Sequence, residues 1–321
     1  MNPTTLKRLA ASLIGGVVLL LCSVYIARNF QWREAFTLLS GANLAWFLLG
    51  GGGGIIGFWL MRTLRWRLLL RGMQPHVPLA DLYLCSAVAL SFSVFTPFQS
   101  GELLKVELLK KYGHVGRLPG YSTLLLERIA DFYAVIAIGI IALAARRGSL
   151  SHVDAAWLAL LLLGMPVAAY LLLHRLRVTG RVGQVVNQIQ SSVSSPTALC
   201  MLLILTFLSW TMSALAWQAC FFSLSIALGF TDMLGLLSII TLASIASFIP
   251  GGLGVAEAGV TELLIGYGII TPLAQAGALI LRALSLLIIA MGLFHWLWLG
   301  RKWKREAKLA GEPNGSDPAQ P

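Results

Sequence analysis

Two stretches of this chain carry the pattern Phe-x-Pro-x-x-x-Gly inside or at the end of apolar runs: Phe95 to Gly101, with Pro97, and Phe248 to Gly254, with Pro250, Gly251 and Gly252. Proline and glycine at such places interrupt a helix and free backbone groups that lipid cannot satisfy. Each pattern is followed, 27 and 28 residues after its last glycine, by an arginine in an apolar segment, Arg128 and Arg282. Charge at membrane depth is costly and points to a binding site or an ion path. Arg128 lies in Glu127-Arg128-Ile129-Ala130-Asp131, whose two carboxylates are four residues apart and share a helix face. That grouping suits a phosphate held on Arg128 while Glu127 and Asp131 position it or take up a proton. It equally suits a salt-bridge network with a neighbouring helix.

The breaks offer a second device. A helix restarting after Gly101 or Gly254 presents backbone N–H groups and a partial positive charge to an anion. Glu102 and Glu257 stand where a carboxylate can cap those donors, so capping and competition with an anionic ligand are both open readings. Arg282 is the expected counterpart of Arg128, with Glu257 or Glu262 as its partner. Lys105, together with Arg62, Arg65, Arg67 and Arg71, is expected either to draw anionic lipid headgroups or to act through topology alone. The substrate-binding candidates are therefore Pro97, Gly101, Glu102, Lys105, Glu127, Arg128, Asp131, Pro250, Gly251, Gly252, Gly254, Glu257 and Arg282.

The elements that must position these residues follow from composition. Hydrophobic residues make up 57% of 321 positions and charged residues 12%, against roughly 25% charged in soluble domains. An all-α polytopic membrane protein is expected, with clear spans at Leu9 to Ala27, Leu44 to Met61, Tyr121 to Ala145, Ala155 to Leu173, Thr197 to Leu228 and Leu273 to Leu299. The first span is expected to be retained, since it is long for a signal peptide and lacks a cleavage pattern. Treating the two broken segments as re-entrant hairpins leaves only Arg28, Arg33, Arg146 and Arg147 in outer loops and places nearly every other Lys and Arg in cytoplasmic ones. On that count the first hairpin enters from the cytoplasm and the second from outside. The halves, about 9–145 and 155–299, then form an inverted repeat, an arrangement used for alternating access. Residues 1–300 are expected to be the membrane bundle, and 301–321 a basic and then disordered cytoplasmic tail, so both termini lie in the cytoplasm. Gly50 to Gly54 is expected to allow close helix packing. Val182, Val185, Val186, Ile189 and Val193 mark an interfacial helix.

Other chemistries find little support. Cys22, Cys85, Cys200 and Cys220 and the five histidines form no metal-ligand spacing, and no phosphate-binding Gly-x-x-x-x-Gly-Lys loop is present. No metal, cofactor or nucleic-acid partner is expected.

The segments Thr96 to Glu102, Glu127 to Asp131 and Pro250 to Glu257, with Arg65-Trp66 after the second span, together resemble the flippase-like membrane domain of lysylphosphatidylglycerol synthases over residues 9 to 300. Gln99 stands where many members of that family carry Arg, and Lys105 where a basic residue is usual. The resemblance implies movement of lipid across the cytoplasmic membrane and not synthesis, by a stand-alone member without the soluble synthase domain; no enzymatic activity is expected. The expected function is translocation of an amphiphile with a polar, anionic or phosphate-bearing headgroup. The alternatives are a membrane enzyme acting on lipid phosphates and an accessory partner of a lipid-modifying enzyme.

Overall fold

A computed structural model describes residues 16–17, 20–71, 77–111, 115–146 and 152–309. Among them the regular structure is entirely helical. In chain order the helices are α1 (20–29), α2 (Trp32–Ser40), α3 (Gly53–Leu70), α4 (Leu79–Ser93), α5 (Leu103–Lys111), α6 (Arg117–Arg146), α7 (His152–Arg175), α8 (Gly180–Ser192), α9 (Pro196–Ser223), α10 (Phe230–Ala246), α11 (Val255–Gly266) and α12 (Thr271–Leu309). A π-helical stretch, Trp46–Gly52, runs directly into α3.

Among the described residues four helices are long and apolar enough to cross a membrane: Trp46–Leu70, Arg117–Arg146, Pro196–Ser223 and Thr271–Arg305, of 25 to 35 residues each. A span needs about 20. Large apolar side chains such as Leu49, Leu163, Leu286 and Phe294 point outward, as they do when the solvent is lipid. The chain is an integral membrane protein. The expected span Leu9 to Ala27 lies partly outside the described residues, which include 16–17 and 20–27 of it. The one at Ala155 to Leu173 falls within α7, where the stretch Leu162–Arg175 is apolar but short of spanning length. The long fifth span is a single helix, α9, opened by Ser195, whose Oγ accepts the Ala198 N–H at 3.2 Å, and by Pro196 in the first turn.

The second span extends beyond its expected end. Met61 is followed by Arg62, Arg65 and Arg67, which read locally as the edge of the membrane. The helix instead continues to Leu70 and buries Arg62 and Arg65. Carboxylates from other helices make that burial tolerable.

Small residues set the central crossing. A Cβ built on Gly54 would lie 2.7 Å from the Ala216 Cβ, and one on Gly50 2.5 Å from the Ala219 Cβ, so the start of the second span rides directly on α9. Around that crossing the packing partners alternate: α4 lies against α12 and α10 against α6, while α2 lies against α12 and α8 against α6. The central core joins Trp59 of α3, Ala134 of α6, Phe221 of α9, Leu236 of α10 and Leu284 of α12. α8 is the helix marked by the valine pattern; Ile189 and, just beyond it, Val193 are buried, and Val182 is exposed.

Candidate functional site

Both Phe-x-Pro-x-x-x-Gly segments break helices. After α4 the chain makes a 3-10 turn, Pro97–Glu102, that leads straight into α5. Gln99 sits there at φ 54°, an uncommon conformation for a residue with a side chain. Gly101 is required by proximity, because a Cβ would lie 2.6 Å from the Ser93 nitrogen in α4. After α10 a shorter 3-10 turn, Pro250–Gly252, leads through Leu253 and Gly254 to α11. Gly251, Gly252 and Gly254 all adopt positive φ, which a residue with a Cβ resists. The two breaks touch: a Cβ on Gly251 would lie 2.7 Å from the Val94 carbonyl oxygen.

The helix starts do not offer free donors at the two glycines. The Gly101 N–H donates to Thr96 Oγ1 at 2.7 Å, and the Gly254 N–H donates to Glu257 Oε2 at 2.7 Å. Glu257 therefore caps its helix. Glu102 does not cap; it turns to the arginines.

A buried charge cluster fills the space between α3, the first break, α5, α6 and α9. Arg62 donates to Glu102 Oε1 at 2.5 Å and also to Asp131. Arg65 donates through Nε to Glu127 at 3.2 Å, through Nη1 to Asp131 at 2.7 Å and to Thr206 Oγ1 at 3.0 Å. Lys105 bonds Glu127 and lies 4.5 Å from the centre of the Trp66 ring, a favourable seat for a cation. Arg128 Nη2 reaches both oxygens of Glu102 at 2.7 Å and Asp131 at 2.8 Å, while its Nη1 donates to Gln99 Oε1 at 2.9 Å. Arg62, Arg65, Glu102, Lys105, Glu127 and Asp131 are all buried, and Arg128 is 23% exposed.

Of the expected roles, that of Lys105 as a lipid-facing lure is overturned by its burial, and Arg62 and Arg65 likewise leave the surface. Arg67 and Arg71 remain exposed. Thr206 is not among the expected residues, and Arg62, Arg65 and Gln99, named for other reasons, are not expected in this cluster. The available signal was Arg62 and Arg65, three apart on one helix face, matching Glu127 and Asp131, four apart on another.

The second break carries a simpler pair. Arg282 donates through Nε to Glu257 Oε1 at 2.5 Å and through Nη1 to the Gly251 carbonyl oxygen at 3.3 Å. Glu262 points elsewhere and accepts from Tyr25.

A cavity of about 260 Å3 lies between the two breaks. Arg62, Gln99 and Glu102 line it from the first, and Gly251, Glu257 and Arg282 from the second. The rest of its wall is largely apolar, including Trp59, Leu90, Trp210, Leu237 and Leu281. Such a space accepts a polar group and an apolar body together. Among the described residues no group of three or more His, Cys, Asp or Glu is placed to hold a metal ion.

Spanning helices wrapped around a buried charge cluster and an amphiphilic cavity define an all-α integral membrane protein. Residues 10–292 match the family described as the lysylphosphatidylglycerol synthase TM region, and the chain belongs to that family. This membership supports a role connected with membrane lipids. No relative among curated proteins matches the chain.

Proposed function

We propose that the protein translocates a lipid with an anionic, phosphate-bearing headgroup between leaflets of the cytoplasmic membrane. The observation that carries this reading is the cavity between the two breaks, with an ion pair at each tip and an apolar wall between. The headgroup enters among Arg62, Gln99, Glu102, Glu257 and Arg282, and the tails stay against apolar side chains or in lipid.

Movement requires two states, and the packing pattern supports them. Each broken pair lies on the last long helix of the other half, α4 on α12 and α10 on α6, with α3 against α9 at the centre. We read this as an inverted repeat, about 9–145 and 155–299, whose broken segments re-enter from opposite faces. The scarcity of Lys and Arg in the loops around Arg33 and Arg146 supports cytoplasmic termini. The proposal is of transport without covalent chemistry. Each carboxylate at the cavity is held by an arginine, an arrangement suited to holding charge more than to abstracting a proton. Cooperation with a lipid-modifying enzyme is compatible with this role.

The test is purified protein in liposomes containing fluorescent phospholipid, with dithionite reporting the leaflet. Lipid should cross without nucleotide, and Arg282→Ala and Arg128→Ala should stop it while leaving folded protein. Unchanged crossing in both variants refutes the site. Turnover of lipid phosphate without crossing would replace transport by catalysis.

A further inference from the structure

The charge cluster does not balance. Arg62, Arg65, Lys105 and Arg128 are four cations, and among the described residues the carboxylates that bind them are three, Glu102, Glu127 and Asp131. The three acids are already shared: Asp131 meets Arg62, Arg65 and Arg128, Glu102 meets Arg62, Arg128 and, at 4.0 Å, Lys105, and Glu127 meets Arg65 and Lys105. One positive charge is left over at membrane depth, where an uncompensated charge is unfavourable. A second observation points the same way. The Nε–H groups of Arg62 and Arg128 are buried and meet no acceptor among the described residues. Buried donors of this kind are rare and call for a missing partner.

The surplus lies beside the cavity. Arg62 lines it, as does Gln99, which is bonded to Arg128. The opposite end adds no net charge, for Arg282 is matched by Glu257, and Glu257 is committed to both Arg282 and the Gly254 N–H. Among the described residues no carboxylate at the cavity is left to receive an ammonium group.

We infer that the cavity selects a lipid phosphodiester carrying one net negative charge and disfavours zwitterionic and cationic headgroups, the lysylated one included. This rests on the translocation reading and narrows it. A single phosphodiester charge cancels the surplus, whereas a phosphomonoester or diphosphate at its full charge exceeds it. In a zwitterion or a lysylated lipid the amines bring a positive charge for which the cavity has no acceptor. The apolar wall at Trp59, Trp210 and Leu237 asks for tails as well as a phosphate.

The experiment is equilibrium binding to the full-length protein in detergent, read by tryptophan fluorescence, since Trp59, Trp210 and Trp217 line the cavity. The probes are short-chain phosphatidylglycerol, phosphatidylcholine and lysylphosphatidylglycerol, with glycerophosphoglycerol as the tail-free phosphodiester. Phosphatidylglycerol should bind at least about tenfold more tightly than either other lipid, a free-energy difference of about 1.4 kcal/mol. The tail-free compound should compete at least about a hundredfold more weakly. Equal or tighter binding of phosphatidylcholine or the lysylated lipid overturns the inference, and equal competition by glycerophosphoglycerol overturns its lipid part. Gln99→Glu adds the missing negative charge with little change of shape and should reduce the preference to about twofold or less. Arg62→Gln should do the same where it folds. Full preference retained in Gln99→Glu overturns the inference. Charge-selective binding without leaflet crossing sinks translocation alone, and crossing without charge selectivity sinks this inference alone.

Discussion

Arg282 binds Glu257 across the second helix break as Arg128 binds Glu102 across the first, but only Arg128 belongs to a wider network. The flanking residues explain the difference. Arg128 is preceded by Glu127 and followed three positions on by Asp131, whereas Leu281 and Ser285 occupy the same places around Arg282. The first break is thereby fastened to α3, α5 and α6 at once. The second is held by a pair whose side chains are 24% and 12% exposed, facing the cavity.

If the protein moves lipid as proposed, the second pair is accordingly the one expected to open. Glu257→Gln and Arg282→Ala should each lower lipid crossing at least about tenfold while costing only about 1–3 kcal/mol of stability, the range for losing a partly buried charged hydrogen bond. Arg282→Lys should not restore crossing, because a point charge cannot bond both the carboxylate and the Gly251 carbonyl in the same fork geometry. The check pairs a leaflet assay with thermal unfolding in detergent; unfolding of all three variants to the same large extent would make this pair a structural anchor instead.

The first cluster should respond in the opposite proportion. Asp131→Ala leaves Arg62, Arg65 and Arg128 short of a shared acceptor in a buried place, and removing one partner of such a group costs about 3–5 kcal/mol. Yield of monodisperse protein and its unfolding temperature should both drop sharply. A cost below about 1 kcal/mol would mean that water reaches the cluster.

How far the sequence disclosed this arrangement depends on the range of the interactions. The breaks and the shared face of Glu127 and Asp131 are local, set by spacing within a few turns, and the repeated interval that marks Arg282 narrows its partner to Glu257 or Glu262, of which the fold uses Glu257. Arg62 and Arg65 are different. Their burial depends on Glu102, Glu127 and Asp131, contributed by segments 40 to 69 residues away, so hydropathy alone ends the span at Met61. Capping of Gly254 by Glu257 follows from three-residue spacing, yet the same logic misplaces Glu102, because a 3-10 turn there carries it toward the arginines.

Close packing at the centre should be sensitive to a single methyl group. Gly54→Ala pushes a Cβ to 2.9 Å from the Ala216 backbone nitrogen, and neither main chain can move without the other, so about 1–3 kcal/mol should be lost. Gly53→Ala, with nothing within 4 Å of the new carbon, is the matched control and should be neutral or slightly stabilising. Equal unfolding temperatures for the two variants would contradict the crossing.

Acid should loosen the clasp between α5 and α6. Glu107 accepts from Arg117 Nε at 3.0 Å and from Tyr121 at 2.6 Å, and these bonds hold its carboxyl down to about 2 from an ordinary value of 4.5. A carboxylate with a depressed pKa in the folded state stabilises fully above its unfolded value and loses that contribution as pH falls from about 4.5 toward about 2. The difference in unfolding temperature between the native protein and Glu107→Gln should therefore be constant at neutral pH and shrink below about 4.5. A difference that grows with acid would reverse the assignment.

The two breaks work as proposed only if the first returns to the face it entered. Arg71, before α4, and Lys110, near the end of α5, are both exposed, as are Arg33 and Arg146. In a background without the native cysteines, Arg33→Cys and Arg146→Cys should react with a membrane-impermeant maleimide in intact cells, and Arg71→Cys and Lys110→Cys only after permeabilisation. The loops with many Lys and Arg are then the cytoplasmic ones. Lys110→Cys labelled from outside would make α4 and α5 a full crossing and reverse every later loop. The shared cavity would survive that outcome, but the opposed entry of the two breaks, on which the proposed exchange between leaflets depends, would not.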